Sequence, residues 1–180
     1  YDIQNINNLY KTNGFMDISI ASEYQNISNK YIQIIYNIKE GPQYIFSGIN
    51  LLGNYLFPNE KILFYLKNRL NEYFNPAYIR KQLLEIKKEY LRHGHLNVNI
   101  EDKIIVKNNL IILEINISEG SQYSIQSMHI LGLENINEKY VLRELAIGMG
   151  DIYNIDKIEL SQKRIFDSNL FSSVQILPEI

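Results

Sequence analysis

Between Tyr44 and Leu52 the chain is a run of aromatic and branched residues that stops at Gly53-Asn54, the pattern of a short strand. Pro58 then stands where a first-turn proline belongs. Asn59–Lys67 predicts a short helix with Ile62, Phe64, Tyr65 and Leu66 available for burial. A stronger helix start follows, with Asn75 as N-cap and Pro76 at the first helical position. Ile79, Leu83, Ile86 and Tyr90 recur on one helical face, and Gly94 closes the helix as a left-handed cap. Beyond it, Val98 and Ile100 alternate with Asn97, Asn99 and Glu101. Ile111, Leu113, Ile115 and Ile117 then alternate with residues that turn polar at Glu114, Asn116 and Ser118. Lys107-Asn108-Asn109 between these runs is turn material, so the pair predicts a hairpin. The order is β-α-α-β-β.

That order recurs. YIFSGINLLG at Tyr44–Gly53 returns as YSIQSMHILG at Tyr123–Gly132, 79 positions later, and each copy is introduced by Glu-Gly, at Glu40-Gly41 and Glu119-Gly120. Upstream, Tyr10–Phe15 aligns with Tyr90–His95 at an offset of 80, and Ile32, Ile34, Tyr36 and Ile38 align with Ile111, Leu113, Ile115 and Ile117 at 79. Downstream, Asn154 and Ile158 match Asn75 and Ile79 at 79, but the helix-closing glycine falls on Asn169, at 75. A loss of four residues is about one helical turn, which keeps the apolar face in phase. Asparagine is the non-glycine residue that best tolerates the left-handed conformation.

The expected fold class is therefore α+β, an array of small repeats. Residues 1–41 carry the end of one unit, 42–120 a complete unit, and 121–180 a unit without its last strand. Glu40-Gly41-Pro42 and Glu119-Gly120-Ser121 are too short to be flexible linkers, and they are expected to act as hinges in an elongated, jointed rod.

Composition narrows the function. A net charge of −2 with no basic stripe gives no nucleic-acid footprint. The absence of cysteine excludes disulfides and thiolate metal sites. No apolar run approaches the roughly 20 residues that span a bilayer as a helix. The chain opens at Tyr1-Asp2 with neither a methionine nor a signal peptide, and reads as an internal fragment. Neither G-x-G-x-x-G nor a P-loop occurs, so no cofactor is expected. His93 and His95 flank Gly94 without a third ligand at suitable spacing and read as surface cap histidines, while His129 falls in a strand. Glu85, Glu89, Glu138 and Glu144 read as helix-surface carboxylates, and the serines lack a nucleophile-elbow setting. An enzyme is not expected. Tyr44, Tyr90 and Tyr123 read as partly buried aromatics whose hydroxyls reach the surface.

The ordered motifs resemble polypeptide-transport-associated (POTRA) domains of the BamA-type outer-membrane assembly family. The resemblance rests on Tyr44–Gly53 as the opening strand, Tyr90–His95 as the helix end Y-x-x-x-G-[YF], and Leu113–Gly120 as the closing strand. Tyr10–Phe15 and Asn169-Leu170-Phe171-Ser172-Ser173-Val174 carry variants of the same motifs in the flanking units. His95 departs from the usual aromatic and Asn169 from the usual glycine. The resemblance implies tandem repeats, each a three-stranded mixed sheet covered on one face by two helices. Such a sheet has two edges with unpaired backbone groups, which can accept an extended peptide. The resemblance points to the first hairpin strand, at Asn97, Val98, Asn99, Ile100 and Glu101, with Asp17–Ala21 and Ser173–Leu177 as counterparts.

The resemblance further implies the periplasm-facing scaffold of a Gram-negative outer-membrane protein that handles unfolded outer-membrane proteins and docks accessory lipoproteins. Membrane contact would come only through a C-terminal β-barrel absent from this chain. The segment Val141–Leu145 and the shortened last helix resemble the unit that precedes such a barrel. The alternative is a two-partner secretion or translocation-type transporter, which would capture one cognate substrate. A cell-division scaffold normally carries a single such unit, and the tandem array argues against it.

Overall fold

The computed structural model of the chain describes residues 2–28 and 30–179, and at Asn68 the backbone alone. Tyr1 and Ile180, the outer bounds of the first and third expected units, lie outside the described residues. The elements are α1 (Asp2–Thr12), β1 (Ser19–Ser28), β2 (Tyr31–Lys39), β3 (Ile45–Leu52), α2 (Asn59–Leu66), a 3-10 turn (Lys67–Arg69), α3 (Pro76–Arg92), β4 (Asn99–Lys107), β5 (Leu110–Ser118), α4 (Glu138–Leu142) and α5 (Ile155–Asp167). Two compact units contain them: residues 1–85 with 100–117, and residues 86–99 with 118–180.

In the first unit the three-stranded sheet has the order β3-β5-β4. β3 runs parallel to β5, with Phe46 beside Ile111, Ile49 beside Leu113 and Leu51 beside Ile115. Ser47 is an extra residue in β3, and its hydroxyl donates to the Ile111 carbonyl at 3.0 Å. β4 reaches β5 through Asn108-Asn109, a link so short that only an antiparallel pair fits it. Asn108 takes the left-handed conformation that such a turn requires, with φ 55°. The sheet is therefore mixed, and β3 and β4 are its two edges.

Alternation decides which face is covered. Ile111, Leu113, Ile115 and Ile117 are all buried, whereas Leu110, Asn116 and Ser118 are exposed. Ile62 and Leu66 on α2 and Ile79 on α3 are buried as well, on the apolar stripes of their helices. The Asn75 side chain caps α3 by accepting from the Tyr78 amide at 2.9 Å, as its position before Pro76 predicts. Phe64 departs from expectation. It is exposed, with the Lys67 ammonium 5.5 Å above its ring, because α2 has only two turns and Ile62 and Leu66 already occupy its inward side. β1 and β2 form a separate antiparallel pair in which Ser22 faces Tyr36 and Tyr24 faces Ile34.

In the second unit a small core of Ile147, Tyr153 and Ile158 is packed by Leu96, Ile125, Ile155 and Ile176. α5 has 13 residues against 17 in α3, the expected one-turn loss, and Asn169 closes it with φ 57° where Gly94 has φ 86°. Two expected strands are absent among the described residues. Tyr123–Gly132 forms only one bridge, between Ser124 and Ile152, and Ser173–Leu177 forms none. A strand is defined by its partner, and the equivalents of both segments, β3 and β4, lie on either side of β5. Among the described residues no equivalent of β5 pairs with either segment.

Candidate functional site

Of the five residues predicted for the edge, Asn99, Ile100 and Glu101 open β4, and the strand then extends to Lys107, well beyond the predicted segment. Asn97 and Val98 lie before the strand and do not belong to it. Val98 is buried, and the Asn97 amide donates to the Tyr123 hydroxyl at 3.0 Å. Short-range alternation placed both in the strand, but the turn after Gly94 consumes them first. The counterpart behaves alike: β1 begins at Ser19, so Asp17 and Ile18 precede it, and Ile18 is buried.

The predicted joints are held by several hydrogen bonds in each unit. In the first unit Tyr10 donates from its hydroxyl to the Glu40 carboxylate at 2.9 Å, tying the end of α1 to the Glu-Gly join. The Tyr44 amide donates to the Gly14 carbonyl at 2.9 Å, and the Gln43 side chain to the Asn13 carbonyl at 2.9 Å. In the second unit Tyr90 donates to Glu119 at 3.0 Å, the Tyr123 amide to the Gly94 carbonyl at 2.9 Å, and Gln122 to the His93 carbonyl at 2.9 Å. Each bond recurs at an offset of 79 or 80. So do the bonds that hold the opening segment to its own unit: the Phe74 amide to the Tyr44 carbonyl becomes that of Tyr153 to Tyr123, and Phe46 to Glu72 becomes Ile125 to Asp151.

The repeated tyrosine and glutamate, 29 or 30 residues apart in sequence, are thus partners. Tyr90 is fully buried, so its hydroxyl does not reach the surface as expected; it is satisfied inside, by Glu119. Burial, with the Glu119 carboxylate beside it, pushes that hydroxyl far above the usual phenol range. His95 is also buried, not a surface cap. Its ring stands edge-on to Tyr90, and Nδ1 lies 3.2 and 3.3 Å from the carbonyls of Glu119 and Gly120. His93 bonds the Glu89 carbonyl through Nδ1, at 2.9 Å. Sequence reasoning found the joints through their glycines but missed these side-chain pairs, although the parallel offsets of tyrosine and glutamate carried the signal.

A charged cluster links the end of α3 to the start of α5. The Arg92 guanidinium bonds Asp156 at 2.6 Å and Glu89 at 3.0 Å, and Lys88 reaches Glu159 at 2.9 Å and Asp156 at 3.7 Å. The hydrogen bond from Arg92, reinforced by Lys88, holds the Asp156 carboxyl below its ordinary value of 3.8. A carboxyl depressed in the folded state stabilises it fully above the ordinary value, and that contribution fades as pH falls through the lower folded value. Asp156→Asn should therefore lower the melting temperature at neutral pH, with the gap to the parent closing in acid. A gap that stays constant from pH 7 down to pH 3 would show that the carboxylate charge contributes nothing.

Among the described residues there is no group of three or more metal-ligating side chains, and no helix is long and apolar enough to cross a membrane. The family described as POTRA, surface antigen variable number repeat, matches residues 44–120. The outer membrane protein assembly factor BamA of Buchnera aphidicola is 32% identical over 148 residues, which cover 79% of this chain and 22% of that protein. The chain belongs to the POTRA domains of the BamA type. A putative outer membrane protein assembly factor of Treponema pallidum is 20% identical over 97% of this chain and 22% of its own length. The chain thus spans about a fifth of the curated relatives it matches. A crystal structure of Haemophilus influenzae BamA POTRA3-5 superposes with a TM-score of 0.73 at 18% identity, over 97% of this chain and 70% of that one. It shares the POTRA fold, the mixed sheet and helices described above.

Proposed function

We propose that this POTRA chain is a non-enzymatic, periplasm-facing scaffold of outer-membrane protein assembly, which binds unfolded outer-membrane proteins by β-augmentation and docks accessory lipoproteins. The observation that carries this reading is β4. It is a nine-residue strand at the edge of a three-stranded sheet. Backbone bonding along such an edge gives affinity with little reading of side chains, which suits many unfolded clients. Exposed Ile104 and Val106 offer apolar contact, while Glu101, Asp102, Lys103 and Lys107 keep the edge from pairing indiscriminately.

The domain reading supports the same role, with an incomplete POTRA domain over 1–41, a complete one over 42–120 and one without its last strand over 121–180. Accessory proteins would meet the array on surfaces other than the joints, whose polar groups are bonded internally. In an NMR titration, peptides copied from several unrelated barrel strands should shift the amides of Asn99–Lys107. Shifts from a single cognate peptide would favour a dedicated secretion transporter, and no shifts with any peptide would overturn substrate binding at this edge.

A further inference from the structure

The sheet of the first unit has two edges, and they are not equally open. Over the first half of β3 the outer side is taken by residues 71–74. The Phe46 amide donates to the Glu72 carbonyl at 2.9 Å, the Asn71 amide to the Phe46 carbonyl at 2.7 Å, and the Phe74 amide to the Tyr44 carbonyl at 2.9 Å. β4 is the other edge. The two-residue turn Asn108-Asn109 sets Lys107 beside Leu110. The same register recurs in the first pair, where Ile20 stands beside Ile38, the counterparts of Ile100 and Ile117. Alternation from the turn puts Lys103, Ile105 and Lys107 in one row on the uncovered face, and Ile104 and Val106 on the other. Both lysines are exposed, and Ile105 between them is half-buried.

We propose that this row makes β4 a charge-reading edge. It selects client strands that carry an acidic residue two positions to either side of an apolar one, so that two carboxylates meet Lys103 and Lys107 while the apolar side chain lies on Ile105. The inference rests on the peptide-binding reading of β4 and deepens it, by naming which strands bind. Charge on an edge strand protects against indiscriminate pairing, and the same charge becomes a selector when the incoming strand carries the opposite sign directly across from it. Side chains directly opposed on neighbouring strands are close enough for unlike charges to help and like charges to hinder. The acidic-apolar-acidic pattern is symmetric about its centre, so it fits a client that runs parallel or antiparallel to β4. A slip of one residue would turn both carboxylates to the other face, against Ile104 and Val106. Glu101 shares the row and Glu114 adjoins Lys103 on β5, so Lys107, beside Leu110, presents the less offset charge. The chain as a whole carries a net charge of −2, so its bulk charge does not favour acidic peptides, and the preference is local to the edge.

Three nine-residue peptides on one background sequence test this by fluorescence anisotropy. The first has glutamate at positions 3 and 7 and valine at 5. The second moves both glutamates to positions 4 and 6 without changing composition, and the third has lysine at 3 and 7. The first should bind about tenfold tighter than the third, as two cross-strand charge pairs allow, and also tighter than the second. Lys103→Glu combined with Lys107→Glu should invert the order of the first and third. On the unaltered protein, salt at about 1 M, where charges are screened beyond roughly 3 Å, should bring the three affinities together. Equal affinity for all three at low salt would overturn the charge reading and leave peptide binding at β4 standing. A glutamate preference that survives the double substitution or high salt would overturn it as well. Failure of every peptide to bind would remove both. The two isomers and the salt series on the unaltered protein decide the question even if the double variant fails to fold.

Discussion

Gly53→Ala should destabilise the first unit by about 2–5 kcal/mol. About 1–2 kcal/mol comes from forcing a side chain into the left-handed region, and the rest from overpacking against rigid backbone. Gly53 has φ 80°, and a Cβ there would run into the carbonyl oxygen of Ile117 at the end of β5. Neither group can yield, because β3 and β5 are paired up to Leu52 and Asn116, the residues just before them. The control is Gly150→Ala. Gly150 has a similar φ of 85°, but nothing lies within 4 Å of the added methyl, so only the conformational cost applies, about 1–2 kcal/mol. Asn71, the residue equivalent to Gly150, holds φ 66° with a side chain in place. Urea unfolding should show a clear shift of midpoint for Gly53→Ala and a smaller one for Gly150→Ala. Equal shifts would mean that β5 does not press on this turn.

Phe46→Ala should cost about 3–5 kcal/mol, whereas Phe64→Ala should cost under about 1 kcal/mol. Phe46 is 1% exposed and stands edge-on to Phe74 at 5.9 Å, so its removal leaves a cavity bounded by the sheet and loses an aromatic contact. Phe64 is 63% exposed, with the Lys67 ammonium above its ring and the ring of its neighbour Tyr65 edge-on to it. Phe64 was a candidate for burial from its place in the predicted helix. Matched urea melts of the two variants decide between that reading and the structure, and similar losses would place Phe64 in the core after all.

The edge and the joints differ in how much of them the sequence made legible. Alternation found the hairpin and its outer strand but began that strand two residues early, because Asn97 and Val98 alternate correctly while serving the turn after Gly94. Glycine positions located the joints, yet the bonding of Tyr90 and His95 to the Glu119 segment was missed, since partners 24 to 30 residues apart leave no local pattern and only the recurrence of tyrosine and glutamate at one spacing signals them. The same reason explains why Tyr123–Gly132 looked like a strand. Its residues match those of β3 closely, but pairing is a property of two segments, and composition describes one.

What the sequence by itself determined is everything carried by local periodicity and backbone chemistry. That includes the 79-residue repeat, the helix caps at Asn75 and Asn154, the one-turn loss in α5 and the left-handed Asn169. These follow from side-chain spacing and from the conformations each residue tolerates, so they are written where they occur. Only the tertiary structure decided which candidates were buried, which strands found partners, and that Arg92 and Lys88 meet Asp156 and Glu159. Those outcomes depend on which distant groups arrive beside each other, and burial, pairing and charge contact are energies between neighbours in space.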